Sequence, residues 1–306
     1  MGHVHHGDHG HGQAHSHGAP GGDRNVAVAA VINVALGLAQ IAGGLASGSI
    51  ALVADAIHNL SDAATLVIAF GARRIARRPA DTTMTFGYGR AEVVAALVNY
   101  TSLVMISLWL GAEAALRLMN PSAVAGGVVI ALAGLGLVVN LGTALLTWRL
   151  ARTSLNIRAA FLHNLSDAGA SVAVLAGGVA IKMFGWHLAD PLVTLGLSVW
   201  ILWHAASDMR PVIRILMLGA PADMEFAAIQ ARITADGDVD GVHHMHLWQI
   251  DERRTSLEAH LVLRDGADAG AATERVRRLL ADEFGITHAT FQAENATAPC
   301  AAPGCG

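Results

Sequence analysis

Long apolar stretches dominate the chain up to about residue 208, and they predict membrane-spanning helices. Between Asn25 and Ala72 the only Asp, Glu, Lys or Arg side chains are Asp55 and Asp62. A helix needs about 20 apolar residues to cross the hydrocarbon core of a bilayer. Turn residues separate the stretches, and together they predict six spans: residues 25–46, 49–72, 88–116, 124–150, 156–181 and 188–208.

Charged residues return after Pro211, and alternation there predicts a small soluble domain. On the predicted strand 255–263, Leu257 and Leu261 face one side and His260 faces the other. The order of predicted elements is αββαβ, which is typical of a ferredoxin-like α+β domain. The elements are a helix over 222–236, strands over 241–251 and 255–263, a helix over 270–284 and a strand over 286–294.

The chain therefore divides into four predicted segments. A disordered His-rich leader covers 1–24, and a six-helix transmembrane domain covers 25–210. The ferredoxin-like domain covers 211–296, and a flexible tail with two cysteines covers 297–306. Arginines flank the second-to-third and fourth-to-fifth connections and follow the sixth span, so the positive-inside rule predicts both termini in the cytoplasm. We expect an integral protein of a bacterial inner membrane.

Composition excludes several classes of protein. Charged residues make up 14% of the chain and hydrophobic residues 53%, whereas a soluble domain carries about 25% charged residues. A net charge of -4 leaves no basic surface to hold nucleic acid. Two cysteines exclude a disulfide scaffold. Sixteen histidines beside a single lysine indicate metal or proton chemistry.

The six residues His-Asn-Leu-Ser-Asp-Ala occur twice, at 58–63 in the second span and at 163–168 in the fifth. A His and an Asp four residues apart lie on one face of a helix. An ionised Asp at the centre of a bilayer costs about 2.5–3.5 kcal/mol, so two of them need compensation. Two imidazoles and two carboxylates suit tetrahedral Zn²⁺. The repeat therefore predicts a midplane metal site formed by His58, Asp62, His163 and Asp167.

Other roles for these polar residues stay open at this point. Each His–Asp pair is alternatively an intrahelical hydrogen bond, or the four residues form a proton relay without metal. Asp55 lies three residues before His58, and it is either an exit or proton-accepting group or an interfacial carboxylate. Gln40 and the asparagines of the spans are predicted to form hydrogen bonds between helices.

Four stretches of the sequence resemble the cation diffusion facilitator family of metal–proton antiporters. They are residues 54–62, 86–92, 161–167 and 243–248, and the resemblance covers nearly the whole chain after the leader. It implies proton-coupled efflux of divalent cations by alternating access, with His58, Asp62, His163 and Asp167 similar to the set of zinc-selective members. It also implies a homodimer, with metal ions, protons and the lipid bilayer as partners and no nucleic acid.

The resemblance also implies metal ligands in the soluble domain, with Zn²⁺ as the ion bound there. The alternative is a polar dimer cleft without metal. The candidates are His243, His260, His288, Glu294 and His246, with Cys300 and Cys305 in the tail as further soft ligands. Some members bind metal in the second-to-third loop through one Asp and two His. Here Asp81 matches, but Met84 and Tyr88 replace the histidines, so we predict no zinc there.

Three rival functions are weighed against antiport. An intramembrane zinc enzyme would need a general base beside the metal, as in HExxH, whereas Asn follows His58 and His163. A signalling protein would need an output domain, and a passive channel would not need four strong ligands at the midplane. Export of Co, Ni, Cd or Fe by the same architecture also stays open, because these ions use overlapping ligands.

Overall fold

The computed structural model of the protein describes residues 22–151 and 155–295. Six long helices come first, and five of them contain an apolar stretch long enough to cross a membrane. The corresponding stretch described in the first helix, Val31–Ser47, is shorter. The predicted fold class is confirmed. The helices are α1 (Gly22–Ser47), α2 (Ile50–Ala76), α3 (Arg90–Met119), α4 (Gly126–Ala151), α5 (Leu155–Phe184) and α6 (Ala189–Leu216).

The connection between α1 and α2 is tight and is held by a side chain from α6. Gly48 has a φ of 76°, a conformation that favours glycine. The carboxylate of Asp190 accepts hydrogen bonds from the Ser49 hydroxyl at 2.5 Å and from the Ile50 N–H at 2.9 Å. It thus satisfies the first backbone donors of α2, which have no partner within the helix.

Small and branched side chains pack the interior of the helical region. Leu52, Leu110 and Val174 are fully buried together with alanines such as Ala133, which let helices approach closely. Large apolar side chains such as Phe70 remain exposed on the outside. An apolar exterior is expected of helices that are surrounded by lipid.

The sixth helix ends later than predicted, at Leu216 rather than at residue 208. It continues through Pro211, although proline removes one helical hydrogen bond. The reason is packing, because Val212 and Ile215 after the proline are buried against Val93 of α3. Burial of these side chains offsets the lost hydrogen bond.

A three-stranded sheet with two helices completes the chain. Its elements are α7 (Phe226–Thr234), β1 (Val239–Gln249), β2 (Thr255–Leu263), α8 (Ala269–Phe284) and β3 (His288–Asn295). The central β2 pairs antiparallel with β1 and parallel with β3. Leu257, Leu261 and Leu280 are fully buried in its core. The helix α8 begins at an Asp268 cap and ends at Gly285, whose φ is 67°.

Two compact units divide the chain. The first contains residues up to Ala64 together with Leu103–Trp203, and the second contains Thr65–Ser102 together with the chain from His204 onward. In the second unit, the β1–β2 hairpin is tied to the start of α3. The Arg90 side chain donates to the carbonyl of Ile250 at 2.8 Å, and Arg254 donates to the carbonyl of Phe86 at 3.0 Å.

Candidate metal sites

The two copies of the repeated motif bring four ligand side chains together between α2 and α5. Nε2 of His58 lies 3.4 Å from Oδ1 of Asp167 on the other helix and 3.9 Å from Oδ2 of Asp62 on its own. Nε2 of His163 lies 3.4 Å from Oδ2 of Asp62 and 3.6 Å from Oδ2 of Asp167. Each imidazole therefore lies close to both carboxylates.

These separations fit a tetrahedral zinc ion. With zinc–ligand distances of about 2.0–2.1 Å for nitrogen and oxygen, the edges of the tetrahedron are about 3.3 Å long. Ligand atoms of His58, Asp62 and Asp167 all lie within 4.8 Å of one another. His163 stands farther from His58, with the ring centroids 6.4 Å apart. His163 is not among the ligand atoms that lie this close together, so the binding of one ion by all four residues stays a prediction.

Several buried polar atoms in this cluster have no hydrogen-bond partner within the described part of the chain. They are both ring nitrogens of His58, Oδ2 of Asp62 and Oδ1 of Asp167. Buried polar atoms are nearly always paired, because an unpaired one loses its hydration without compensation. Converging nitrogen and oxygen atoms without partners are suited to a cation that supplies the missing bonds. The donor set therefore fits Zn²⁺.

The cluster is enclosed on one side and accessible on the other. The side chains of His58 and Asp167 are 13% and 6% exposed, whereas His163 is 52% exposed. The indole of Trp200 on α6 lies edge-on to His58, with ring centroids 5.4 Å apart. Sequence reasoning missed Trp200, because nothing around it distinguishes it from Trp203 on the same helix.

Asp55 lies on α2 next to this cluster and does not join it. Its side chain is 1% exposed, so the protein encloses it, and its role stays a prediction. Nε2 of Gln40 on α1 donates to Oδ2 of Asp55 at 3.1 Å. The prediction that Gln40 forms a hydrogen bond between helices is therefore confirmed.

A second cluster lies on the sheet of the C-terminal domain. Nε2 of His243 on β1 lies 2.9 Å from Oε2 of Glu294 on β3, within hydrogen-bond distance. Nδ1 of His260 on β2 lies 2.7 Å from Oε1 of Glu294. Ligand atoms of the three residues lie within 4.8 Å of one another, and Glu294 is 4% exposed. Two imidazoles and a buried carboxylate form a second candidate metal centre.

His244 joins this cluster because of an irregularity in β1. Strand alternation places consecutive residues on opposite faces, but the ladder is irregular between His243 and His246, and His244 has a φ of 48°. The rings of His243 and His244 therefore both contact His260, with centroids 5.1 and 4.9 Å away. Bulges often redirect side chains beside functional sites. Sequence reasoning missed His244, because nothing in the sequence signals this bulge.

The other predicted ligands do not join the three-residue set. His246 is exposed and contacts His244, with ring centroids 4.8 Å apart. His288 pairs with Ser256 at the far end of β3, and its exposed ring contacts Phe86. Six strand residues span about 20 Å, so His288 is too far along β3 to share an ion with Glu294 of the same chain. Cys300, Cys305 and residues 1–21 of the leader lie outside the described residues, whereas residues 22–24, predicted as disordered leader, belong to α1.

The loop between α2 and α3 uses its carboxylate for hydrogen bonds. The hydroxyls of Thr83 and Tyr88 each donate to Asp81 at 2.7 Å, and the N–H groups of Thr83 and Met84 each donate at 2.8 Å. These donors, the hydroxyls first, hold the pKa of Asp81 below its ordinary range. A carboxylate that shapes its own loop in this way has its oxygens occupied. The absence of zinc there stays a prediction.

Both parts of the chain match families of known proteins. Residues 26–217 match the family model described as the cation efflux transmembrane domain. Residues 221–296 match the one described as the cation efflux protein, cytoplasmic domain.

Three curated relatives are similar over most of their length. The metal cation efflux system protein CzcD of Cupriavidus metallidurans is 34% identical over 94% of this chain and 92% of its own. The zinc transporter ZitB of Escherichia coli is 35% identical over 88% of this chain and 85% of its own. The cadmium, cobalt and zinc/H(+)-K(+) antiporter of Bacillus subtilis is 32% identical over 92% of this chain and 91% of its own.

Proposed function

The chain belongs to the cation diffusion facilitator family, and we propose that it exports Zn²⁺ from the cytoplasm in exchange for protons. Family membership confirms that it is an integral membrane protein for metal cation efflux and not an enzyme. The observation that carries the finer proposal is the convergence of His58, Asp62, His163 and Asp167 between α2 and α5. We place both termini in the cytoplasm and the protein in a bacterial inner membrane.

Zinc is proposed over other divalent ions because of the donor set. A set of two imidazoles and two carboxylates suits Zn²⁺, which accepts nitrogen and oxygen ligands and is usually four-coordinate in proteins. The relatives' names include cadmium and cobalt as well as zinc. Those ions use overlapping ligands, so geometry and not affinity order decides selectivity. A site with four nitrogen and oxygen ligands disfavours ions that prefer six oxygen ligands, such as Mg²⁺.

Exchange for protons follows from the chemistry of the ligands. Imidazole and carboxylate must be deprotonated to bind zinc, so zinc and protons exclude one another at the four-ligand site. In the proposed cycle, zinc enters from the cytoplasm and the membrane domain then opens the site to the other side. Protons from the more acidic outer side displace zinc, and the protonated site returns. A bound zinc ion or proton shifts the equilibrium between the two conformations only to the extent that it binds one of them more tightly than the other.

The second cluster gives the cytoplasmic domain a regulatory role in this proposal. The domain matches the cytoplasmic domain of cation efflux proteins, and we propose that it joins two copies of the chain as a homodimer. Zinc at His243, His260 and Glu294 would join all three strands of the sheet. Filling of this site would report the cytoplasmic zinc concentration to the transport domain.

The function is tested by metal uptake into inside-out vesicles from cells that contain the protein. With an acidic interior, zinc should accumulate in the vesicles, and an uncoupler that collapses the pH gradient should abolish the accumulation. Vesicles without the protein provide the background. Accumulation that ignores the uncoupler would contradict proton exchange, and accumulation of cobalt or cadmium without zinc would contradict the proposed substrate.

The second cluster is tested by counting bound zinc in the purified full-length protein. We expect His260→Ala to lower the number of tightly bound zinc ions by one per chain, because it removes one of three ligands at that site. His288→Ala is the matched control and should retain the wild-type number, because His288 lies far along β3. Equal zinc contents in the two variants, measured by elemental analysis after dialysis, would contradict this assignment.

A further inference from the structure

A hydrogen-bonded network surrounds Asp55 in the interior of the helical region and uses none of the four metal ligands. Gln40 of α1 donates to Oδ2 of Asp55 at 3.1 Å, and Ser171 of α5 donates to the same oxygen at 3.4 Å. Gln40 also donates to the carbonyl of Leu132 on α4 at 3.4 Å. Four helices therefore contribute to a network whose centre is one carboxylate.

Space for this network depends on Gly136 of α4. A side chain there would come within 2.8 Å of Nε2 of Gln40 and within 3.4 Å of the Ser171 hydroxyl. Contacts below about 3 Å require a neighbour to move. The glycine thus leaves room for the amide and the hydroxyl beside Asp55.

Two oxygen atoms in this network lack a partner among the described residues. Oδ1 of Asp55 and Oε1 of Gln40 are both buried without a hydrogen bond, and their side chains are 1% and 0% exposed. Both amide hydrogens of Gln40 are already used, toward Asp55 and Leu132. Both orphan atoms are acceptors when the carboxyl is ionised, so neither can satisfy the other.

We propose that Asp55 is a proton-binding site for the exchange reaction, separate from the metal ligands. One added proton turns Oδ1 into a donor, and Oε1 of Gln40 is the free acceptor on the neighbouring amide. The same proton removes a negative charge from the interior of the helical region, where an ionised carboxylate is costly. The inference rests on the proposed function, because it names the group that carries a proton in that exchange.

The charge of Asp55 couples proton binding to metal binding, although Asp55 is not itself a metal ligand. The titratable groups that act on it electrostatically are His58 on its own helix and Asp167 on α5, both in the four-ligand set. An ionised Asp55 adds a negative charge beside the site and favours Zn²⁺, and a protonated one removes it. In a low-dielectric interior such interactions act over several ångströms.

The test measures how the zinc affinity of the purified full-length protein depends on pH between about 5.5 and 8, a range that includes the ordinary pKa of histidine. Zinc binding to the transport site is measured in protein that also carries His260→Ala, because this substitution removes zinc from the second cluster. We expect Asp55→Asn, which keeps the shape of the side chain, to bind zinc at this site. In this variant the slope of log Kd against pH should decrease by about one, and the number of protons released per bound zinc should also decrease by about one.

Ser171→Ala provides a second variant that keeps the carboxylate. It removes a hydrogen bond to the ionised form, so the proton should be held more tightly and its release should move to higher pH. The number of protons released should remain that of the wild type. Asp55→Asn with an unchanged slope, or Ser171→Ala with an unchanged midpoint, would overturn the proposal.

A monovalent metal ion is the alternative occupant of the space between Oδ1 of Asp55 and Oε1 of Gln40. Zinc binding by the same protein samples in different salts distinguishes it from a proton. Replacement of choline by potassium or sodium should leave the zinc affinity of the wild type unchanged at fixed pH. A dependence on either ion that Asp55→Asn removes, with proton release unaltered, would overturn the assignment to protons. Failure of the proposed function differs from these outcomes: His163→Ala would then leave zinc binding in the His260→Ala background unaffected.

Discussion

Replacement of Asp167 by Ala should abolish zinc transport by this protein. The Asp167 side chain is 6% exposed and lies within 3.6 Å of both imidazoles of the four-ligand set. Loss of a partner outside the first ligand shell already costs about 10–100-fold in metal affinity. Loss of a direct ligand should cost more, so zinc flux in proteoliposomes should fall by more than about 100-fold at micromolar zinc.

Two further variants separate lost chemistry from lost folding. Asp167→Asn keeps the volume of the side chain but weakens the ligand, and it should show nearly the same loss. Ser166→Ala changes the neighbouring, exposed residue and should transport zinc like the wild type. Monodisperse Asp167→Asn protein with undiminished zinc flux would mean that the ion follows a path outside the α2–α5 cluster.

Asp190→Ala should strongly destabilise the helical region. Asp190 is 1% exposed and accepts hydrogen bonds from the Ser49 hydroxyl and from the N–H groups of Ile50 and Ala51. Alanine would leave these donors buried without partners at the start of α2. Each lost bond to a charged group costs about 1.5–3 kcal/mol, so we expect destabilisation by at least about 3 kcal/mol.

Chemical denaturation in detergent measures this loss. Asp208→Ala is the matched control, because Asp208 is an exposed acidic residue on the same helix, and its replacement should change the free energy of unfolding by less than about 0.5 kcal/mol. Similar unfolding curves for Asp190→Ala and Asp208→Ala would show that α2 does not depend on this cap.

Much of the architecture is predictable because its signals are local in the sequence. Uninterrupted apolar stretches predict the helices, and the four-residue spacing of His and Asp places each pair on one face. The duplicated motif then implies that His58 and Asp62 meet His163 and Asp167, and the distances agree. Alternation on β2 likewise predicts that Leu257 and Leu261 face the core.

The remaining features depend on packing and backbone geometry that no local pattern encodes. His244 reaches His260 only because its φ of 48° breaks the alternation of β1. Trp200 lies against His58 because of how α6 packs beside α2. His288 lies six residues before Glu294 on β3, which is too far for both side chains to bind one ion within a chain, and its role as a ligand stays a prediction.

The coordination of zinc between α2 and α5 can be measured directly by zinc K-edge X-ray absorption. The sample is the full-length protein with His260→Ala and Glu294→Gln, loaded with less than one equivalent of zinc. We expect four nitrogen and oxygen ligands at about 2.0 Å, including imidazole, and loss of this spectrum in the additional variant Asp167→Ala. A sulfur shell at about 2.3 Å, or a spectrum that Asp167→Ala leaves unchanged, would contradict it.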